Sequence, residues 1–150
     1  MSEREKQGLV DWTAFLRAMA EEIDQIGGAT ARDALLRGIG HRLAAIRPIS
    51  AAPNMDTLAM ELNDQLVAMG WGSVSFQLNE QDRALLITHT GLPRIGAAGD
   101  PPGTWISALL EGLYEGWMGQ LSGADRSLLA RRMRVTPQTV LLRYGRPAGA

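Results

Sequence analysis

The sequence predicts an α+β domain: three N-terminal helices, a β-hairpin, a long helix and a second β-hairpin, the four strands forming one antiparallel sheet covered by helices. Three observations carry this. Up to Gly70 the apolar residues recur at three- and four-residue steps, as on one face of a helix. From Ser73 the period drops to two, that of a half-buried strand. Between Ile95 and Leu121 a Gly/Pro loop gives way to another helical stripe.

Residues 1–10 are rich in Glu, Arg, Lys and Gln and are expected to be a flexible N-terminal segment ahead of a single domain spanning 11–150. Asp11 can cap a first helix whose stripe is Trp12, Phe15, Leu16, Met19, Ile23 and Ile26, closed by Gly27-Gly28. A second helix begins near Thr30, turns Leu35, Leu36, Ile39, Leu43 and Ile46 inward, and stops before Pro48. Asn54 or Asp56 caps a third, with Met55, Leu58, Leu62, Leu66 and Met69 toward the core until Gly70. Val74, Phe76 and Leu78 then alternate with Ser73, Ser75 and Gln77, Asn79 to Asp82 makes a turn, and Arg83 to His89 returns as a second strand.

Gly96, Gly99, Pro101, Pro102 and Gly103 set turn geometry ahead of the long helix. Thr104 is placed to cap that helix, whose inner side is Ile106, Leu109, Leu110, Leu113, Trp117 and Leu121, and Ser122-Gly123 closes it. Ser127 to Arg134 reads as a third strand, although Leu128, Leu129, Arg132 and Met133 also fit a short helix; Gln138 to Tyr144 reads as the fourth. A bare sheet of this kind leaves edges that must be short, charged or covered, and association between subunits is one way to cover them.

Gly112, Gly116 and Gly119 each cost the long helix about 1 kcal/mol relative to Ala. Gly112 and Gly116 share a face and would let a second helix, or another subunit's backbone, approach closely. Trp71 and Trp105 sit at element boundaries, where an indole can pack against another chain or stack on a sugar. These four are the candidate oligomer-interface residues. Trp12 and Trp117 fall on apolar stripes and are expected in the core.

With 15 basic and 16 acidic residues the net charge is -1, which leaves no broad positive field for nucleic acid or an anionic membrane. The absence of cysteine removes disulfides, thiolate catalysis and thiolate metal sites. His41 and His89 have no second ligand at helical spacing, so neither a metal site nor a cofactor is predicted. Glu111 and Glu115, one turn apart, read as a solvated helix face, whereas a glycosidase sets its carboxyls on opposite sides of a sugar. The cluster Arg131, Arg132 and Arg134 reads as a solvated strand edge. No phosphate cradle is expected in the Gly96 to Gly103 loop, because the G-K-[ST] ending is missing and two prolines remove amide donors. No catalytic residue emerges, and a small-molecule pocket under the long helix has no polar constellation to recommend it. The N-terminus lacks an apolar h-region and no run approaches the roughly 18 apolar residues of a membrane span, so neither a signal peptide nor membrane insertion is expected, and the direct reading is cytoplasmic.

The stretch GDPPGTWISALLEGLYEGW, residues 99–117, resembles the bacterial cellulose synthase operon protein D family, whose members carry a G-x-P-x-G-T-W-x-x-x-x-L-E-G-L-Y-x-x-W run. The likeness extends to Trp12-Thr13-Ala14-Phe15-Leu16, Glu22-Ile23-Asp24, Asp33-Ala34-Leu35-Leu36-Arg37, Glu61-Leu62-Asn63 and Trp71-Gly72, and so covers Asp11 to Tyr144. The resemblance implies a non-catalytic accessory subunit that partners itself in a ring-like octamer, a tetramer of dimers, and works with other cellulose synthase subunits. It further implies passages that guide nascent cellulose, lined by the segment ahead of the first helix. Here that segment is Glu5, Lys6, Gln7, Gly8 and Leu9, the candidate carbohydrate-binding residues for cellulose or a cello-oligosaccharide. The family is also placed in the periplasm, an alternative to a cytoplasmic location beside the envelope synthase complex. The competing reading is a cytoplasmic scaffold that arranges synthase complexes without touching glucan.

Overall fold

The computed structural model describes residues 12–92 and 104–147. Its elements are α1 (Thr13–Ile46), α2 (Met55–Met69), β1 (Ser73–Asn79), β2 (Ala84–Thr90), a 3-10 turn (Thr104–Ile106), α3 (Ser107–Gly119), β3 (Leu129–Val135) and β4 (Thr139–Gly145). The strands form one antiparallel sheet in the order β1-β2-β4-β3, so the α+β architecture expected from the alternating periods is the one adopted.

The two helices expected before Pro48 are helical segments of one element that meet at Gly28, with φ 73° and ψ -173°. That backbone conformation is open to glycine alone without strain, so the predicted break falls at a single residue and no loop intervenes. Asn54 caps α2 by accepting the Thr57 amide at 2.8 Å, and Gly70 closes it in the left-handed conformation. The N-cap position of α3 falls on Ile106 and not, as expected, on Thr104. The chain enters through the 3-10 turn, and the N-cap residue Ile106 makes no side-chain cap bond.

Register sets one face of the sheet inward: Leu85, Ile87 and His89 on β2 lie between Val74, Phe76 and Leu78 of β1 and Val140, Leu142 and Tyr144 of β4. Against that face lies α3, whose residues from Ser107 to Tyr114 are all buried. A helix apolar nearly all round needs cover on both sides, and α1 supplies the second side. Trp117 is fully buried, as its place on the stripe predicts, and its Nε1 donates to Arg47 O at 2.9 Å.

The third strand is a strand and not the alternative helix, because its amides have partners waiting on α3. Arg132 N donates to Glu111 Oε2 at 2.9 Å and Ala130 N to Glu115 Oε2 at 3.4 Å. The opposite edge is covered in a similar way. On β1, Val74 N donates to Asn63 Oδ1 at 2.8 Å and Asn63 Nδ2 donates to Val74 O at 3.0 Å, so one amide side chain of α2 imitates a neighbouring strand. The sheet edges therefore receive cover from within the chain, and association between subunits is not needed to protect those positions.

His89 is fully buried, with Nε2 2.8 Å from Gly91 O and Nδ1 2.5 Å from Tyr114 Oη. A carbonyl only accepts, so Nε2 carries the proton and Nδ1 accepts from the phenol. Burial pushes the imidazole below its ordinary value of 6.5, against the opposing pull of backbone hydrogen bonds to Gly91 and Trp71. Below that ordinary value the unfolded chain takes up a proton that the folded chain refuses, so stability falls as pH drops from about 6.5 toward the lower folded value and is flat above it. The urea midpoint is expected to fall between about pH 7.5 and pH 5.5, and a His89→Gln variant to lose most of that slope; equal slopes in the two proteins would remove His89 from the account.

Candidate functional site: the α1–α3 seam, its groove and the apolar arm

Small residues bring α1 and α3 into backbone contact. A Cβ on Gly40 would be driven into Leu109 O and would stand 2.6 Å from Leu113 N; one on Gly112 would be driven into Arg37 O and stand 3.0 Å from His41 N. A Cβ on Gly116 would meet Ala44 Cβ at 2.7 Å. The close approach expected at Gly112 and Gly116 is thus made, but by the chain's own α1. The end of α3 also completes α1, since Gln120 Nε2 donates to Ala44 O and Gln120 Oε1 accepts from Ile49 N, both at 2.9 Å. Carbonyls at a helix C-terminus lack intrahelical partners, and here α3 provides them.

Trp105 is 3% exposed and belongs to the core of the protomer, whereas Trp71 is half-buried against that core and keeps accessible surface. Glu5, Lys6, Gln7, Gly8 and Leu9 lie outside the described residues.

Glu111 is 3% exposed, which corrects the expectation of a solvated carboxylate face. Its Oε1 accepts from Arg37 Nη2 at 2.8 Å and Nε at 3.2 Å, and its Oε2, besides the Arg132 amide, stands 3.6 Å from Arg132 Nε. Arg132 continues the chain of charge through Nη2 to Asp33 Oδ2 at 2.9 Å, and Arg32 joins Asp33 to Asp24 across the Gly28 break. Glu115 receives Arg131 Nη1 at 3.2 Å. Arg131 and Arg132 are accordingly ion-pair partners and not a bare solvated edge. A signal was present in the sequence: Glu111 is a lone carboxylate among Leu109, Leu110 and Leu113, and a charge so placed needs partners. Both carboxylates hold β3, and among the described residues Glu111 is buried away from any groove, so the two do not face a common cleft as a catalytic pair. Among the described residues no group of His, Asp and Glu is arranged to hold a metal ion.

The N-terminal half of α1 forms an arm that reverses another expectation. Trp12 and Phe15 are each 58% exposed, packed edge to face with ring centroids 5.8 Å apart, and Ile26 is 78% exposed. The stripe is present, but no other element among the described residues covers these three side chains. Ala20 alone of this half is fully buried. No helix among the described residues is long and apolar enough to cross a membrane.

A groove of about 400 Å³ opens where α1, the C-terminal end of α3 and the segment before β3 meet, lined by His41, Glu115, Gly119, Asp125, Arg126 and Tyr144. The sequence showed no polar constellation here because these residues come from separate parts of the chain, and no spacing rule joins them. Tyr144 is held above its ordinary value of 10.0 by burial and by the nearby charges of Glu115 and Asp125, so its phenol stays neutral.

The sequence model of the cellulose synthase D-subunit family matches residues 1–145. A cellulose synthase operon protein D of Komagataeibacter xylinus is 35% identical over 142 residues, covering 91% of each chain. That of Komagataeibacter sucrofermentans is 34% identical over 146 residues, covering 93% of this chain and 94% of its own.

Proposed function

Because this chain belongs to the cellulose synthase D-subunit family, we propose that it is an accessory subunit whose copies assemble into a ring-like homo-oligomer, an octamer built as a tetramer of dimers, that guides nascent glucan chains toward ordered export. It works beside other cellulose synthase subunits and performs no catalysis itself. Ahead of α1, Glu5 to Leu9 line the glucan passages, as the family resemblance implies.

The observation that carries the assembly is the apolar arm. Trp12, Phe15 and Ile26 stand exposed on the first helical segment, and burying each side chain of this size contributes about 1.5–3 kcal/mol. Large apolar side chains grouped on one helix face are the usual mark of a protein contact. A second copy supplies matching arms under the closed symmetry that soluble homo-oligomers adopt. Trp105 and Gly112 serve this assembly through the protomer they hold together, while Trp71 and Gly116, which retain accessible surface, are available to a neighbouring copy.

The test is a double variant, Trp12→Glu with Phe15→Glu. Both residues lie outside the core, so the far-ultraviolet circular dichroism is expected to match the parent, while light scattering after size exclusion reports a smaller species. An unaltered mass would exclude the arm as the assembly surface.

A further inference from the structure

We infer that the groove between α1, the end of α3 and β4 is a binding site for the pyranose rings of a neutral glucan, formed by residues other than Glu5 to Leu9. The choice of a glucan rests on the function proposed above; the choice of a pyranose rests on the groove itself.

Its volume of about 400 Å³ lies in the range of small-molecule sites, about 300–1,000 Å³. Ala45, Gly116 and Gly119 form a stretch of wall without long side chains, and a Cβ placed on Gly119 would meet nothing within 4 Å. Leu128 and the Tyr144 ring add apolar surface, which suits the flat face of a sugar ring. Around it stand groups of both hydrogen-bonding kinds. Glu115 and Asp125 accept, Arg126 donates, and the Tyr144 hydroxyl does either, which is the mixture that ring hydroxyls need.

Charge selects against other ligands. Glu115 is already paired with Arg131 and Asp125 faces Arg146, so a cation finds carboxylates that are largely neutralised and meets Arg126, while an anion still meets both carboxylates. Groups with capacity to spare are also present. Among the described residues the Arg126 guanidinium makes no ion pair and the Tyr144 hydroxyl no hydrogen bond, and Asp125 Oδ2 has only Arg146 Nη2 at 3.9 Å. The rest of the wall is held in place by the protomer: Gln120 is tied at both ends to α1 and the residues after it, and Glu115 is fixed by Ala130 N and Arg131. A preset wall costs little to organise on binding.

The test is calorimetric titration of the full chain with cellotetraose, comparing the parent with Gly119→Leu and Arg126→Ala. Leucine at 119 fills the groove from open space and Arg126 is exposed, so both variants are expected to fold and to keep the parent's mass by light scattering. Each should bind cellotetraose about tenfold more weakly. Parent-like affinity in both variants would overturn the site and leave the guiding role intact, with glucan held elsewhere. No heat of binding in the parent would also overturn it, and the mass measurement would then judge the assembly separately.

Discussion

A Gly112→Ala substitution is expected to destabilise the protomer by about 3 kcal/mol, read as a lower urea midpoint at an unchanged slope. The added methyl would be driven into Arg37 O and would stand 2.8 Å from Arg37 C, and these are backbone atoms that no rotamer change can move aside. α1 and α3 would have to part, and Gly40, whose own Cβ would strike Leu109 O, shows that the contact is reciprocal. Alanine's better helix propensity returns about 1 kcal/mol, which is too little to offset the clash. Gly38→Ala is the control with the opposite sign. A Cβ there meets nothing within 4 Å, so the variant should gain up to about 1 kcal/mol. A Gly112→Ala protein that kept the parent's midpoint while scattering light as a smaller species would return Gly112 to the subunit surface.

Gly112 also illustrates what the sequence could and could not convey. Three glycines in a helix announced a close approach, because their propensity cost demands some return, but sequence spacing says nothing about which helix approaches. Periodicity placed the elements well for a similar reason: it records which face is buried, and that is what decides helix or strand locally. It failed at Trp12 and Phe15, since a stripe records that a face seeks cover without stating whether the cover lies in the same chain. The expectation for β3 stayed divided between strand and helix because its register depends on Glu111 and Glu115, carboxylates of another element. Likewise Asn63 sealing β1 and the meeting of His41, Arg126 and Tyr144 are products of tertiary placement, for which no local pattern exists.

Glu111→Ala is expected to cost about 3–4 kcal/mol, the scale of removing one partner from a buried charge cluster. The side chain does three things at once. It neutralises Arg37 on α1, it neutralises Arg132 on β3, and it accepts the Arg132 amide along an otherwise open strand edge. Arg37 and Arg132 are 31% and 25% exposed, so water can recover part of the loss for the two guanidinium groups. The part-buried strand amide loses its partner outright, which adds about 1 kcal/mol. Glu111→Gln should fall between parent and alanine, because an amide oxygen still accepts one bond but carries no charge to balance two arginines. Glu115→Ala should cost about 1 kcal/mol, since that carboxylate is more exposed and its bond to Ala130 N is longer, at 3.4 Å. The local consequence separates this account from a general loss of packing: amide hydrogen exchange at Ala130 and Arg132 should quicken far more than at Ile87 in the middle of the sheet. Were Glu111→Ala to unfold within about 1 kcal/mol of the parent, with exchange at Arg132 unmoved, the carboxylate would not be what holds β3 to α3.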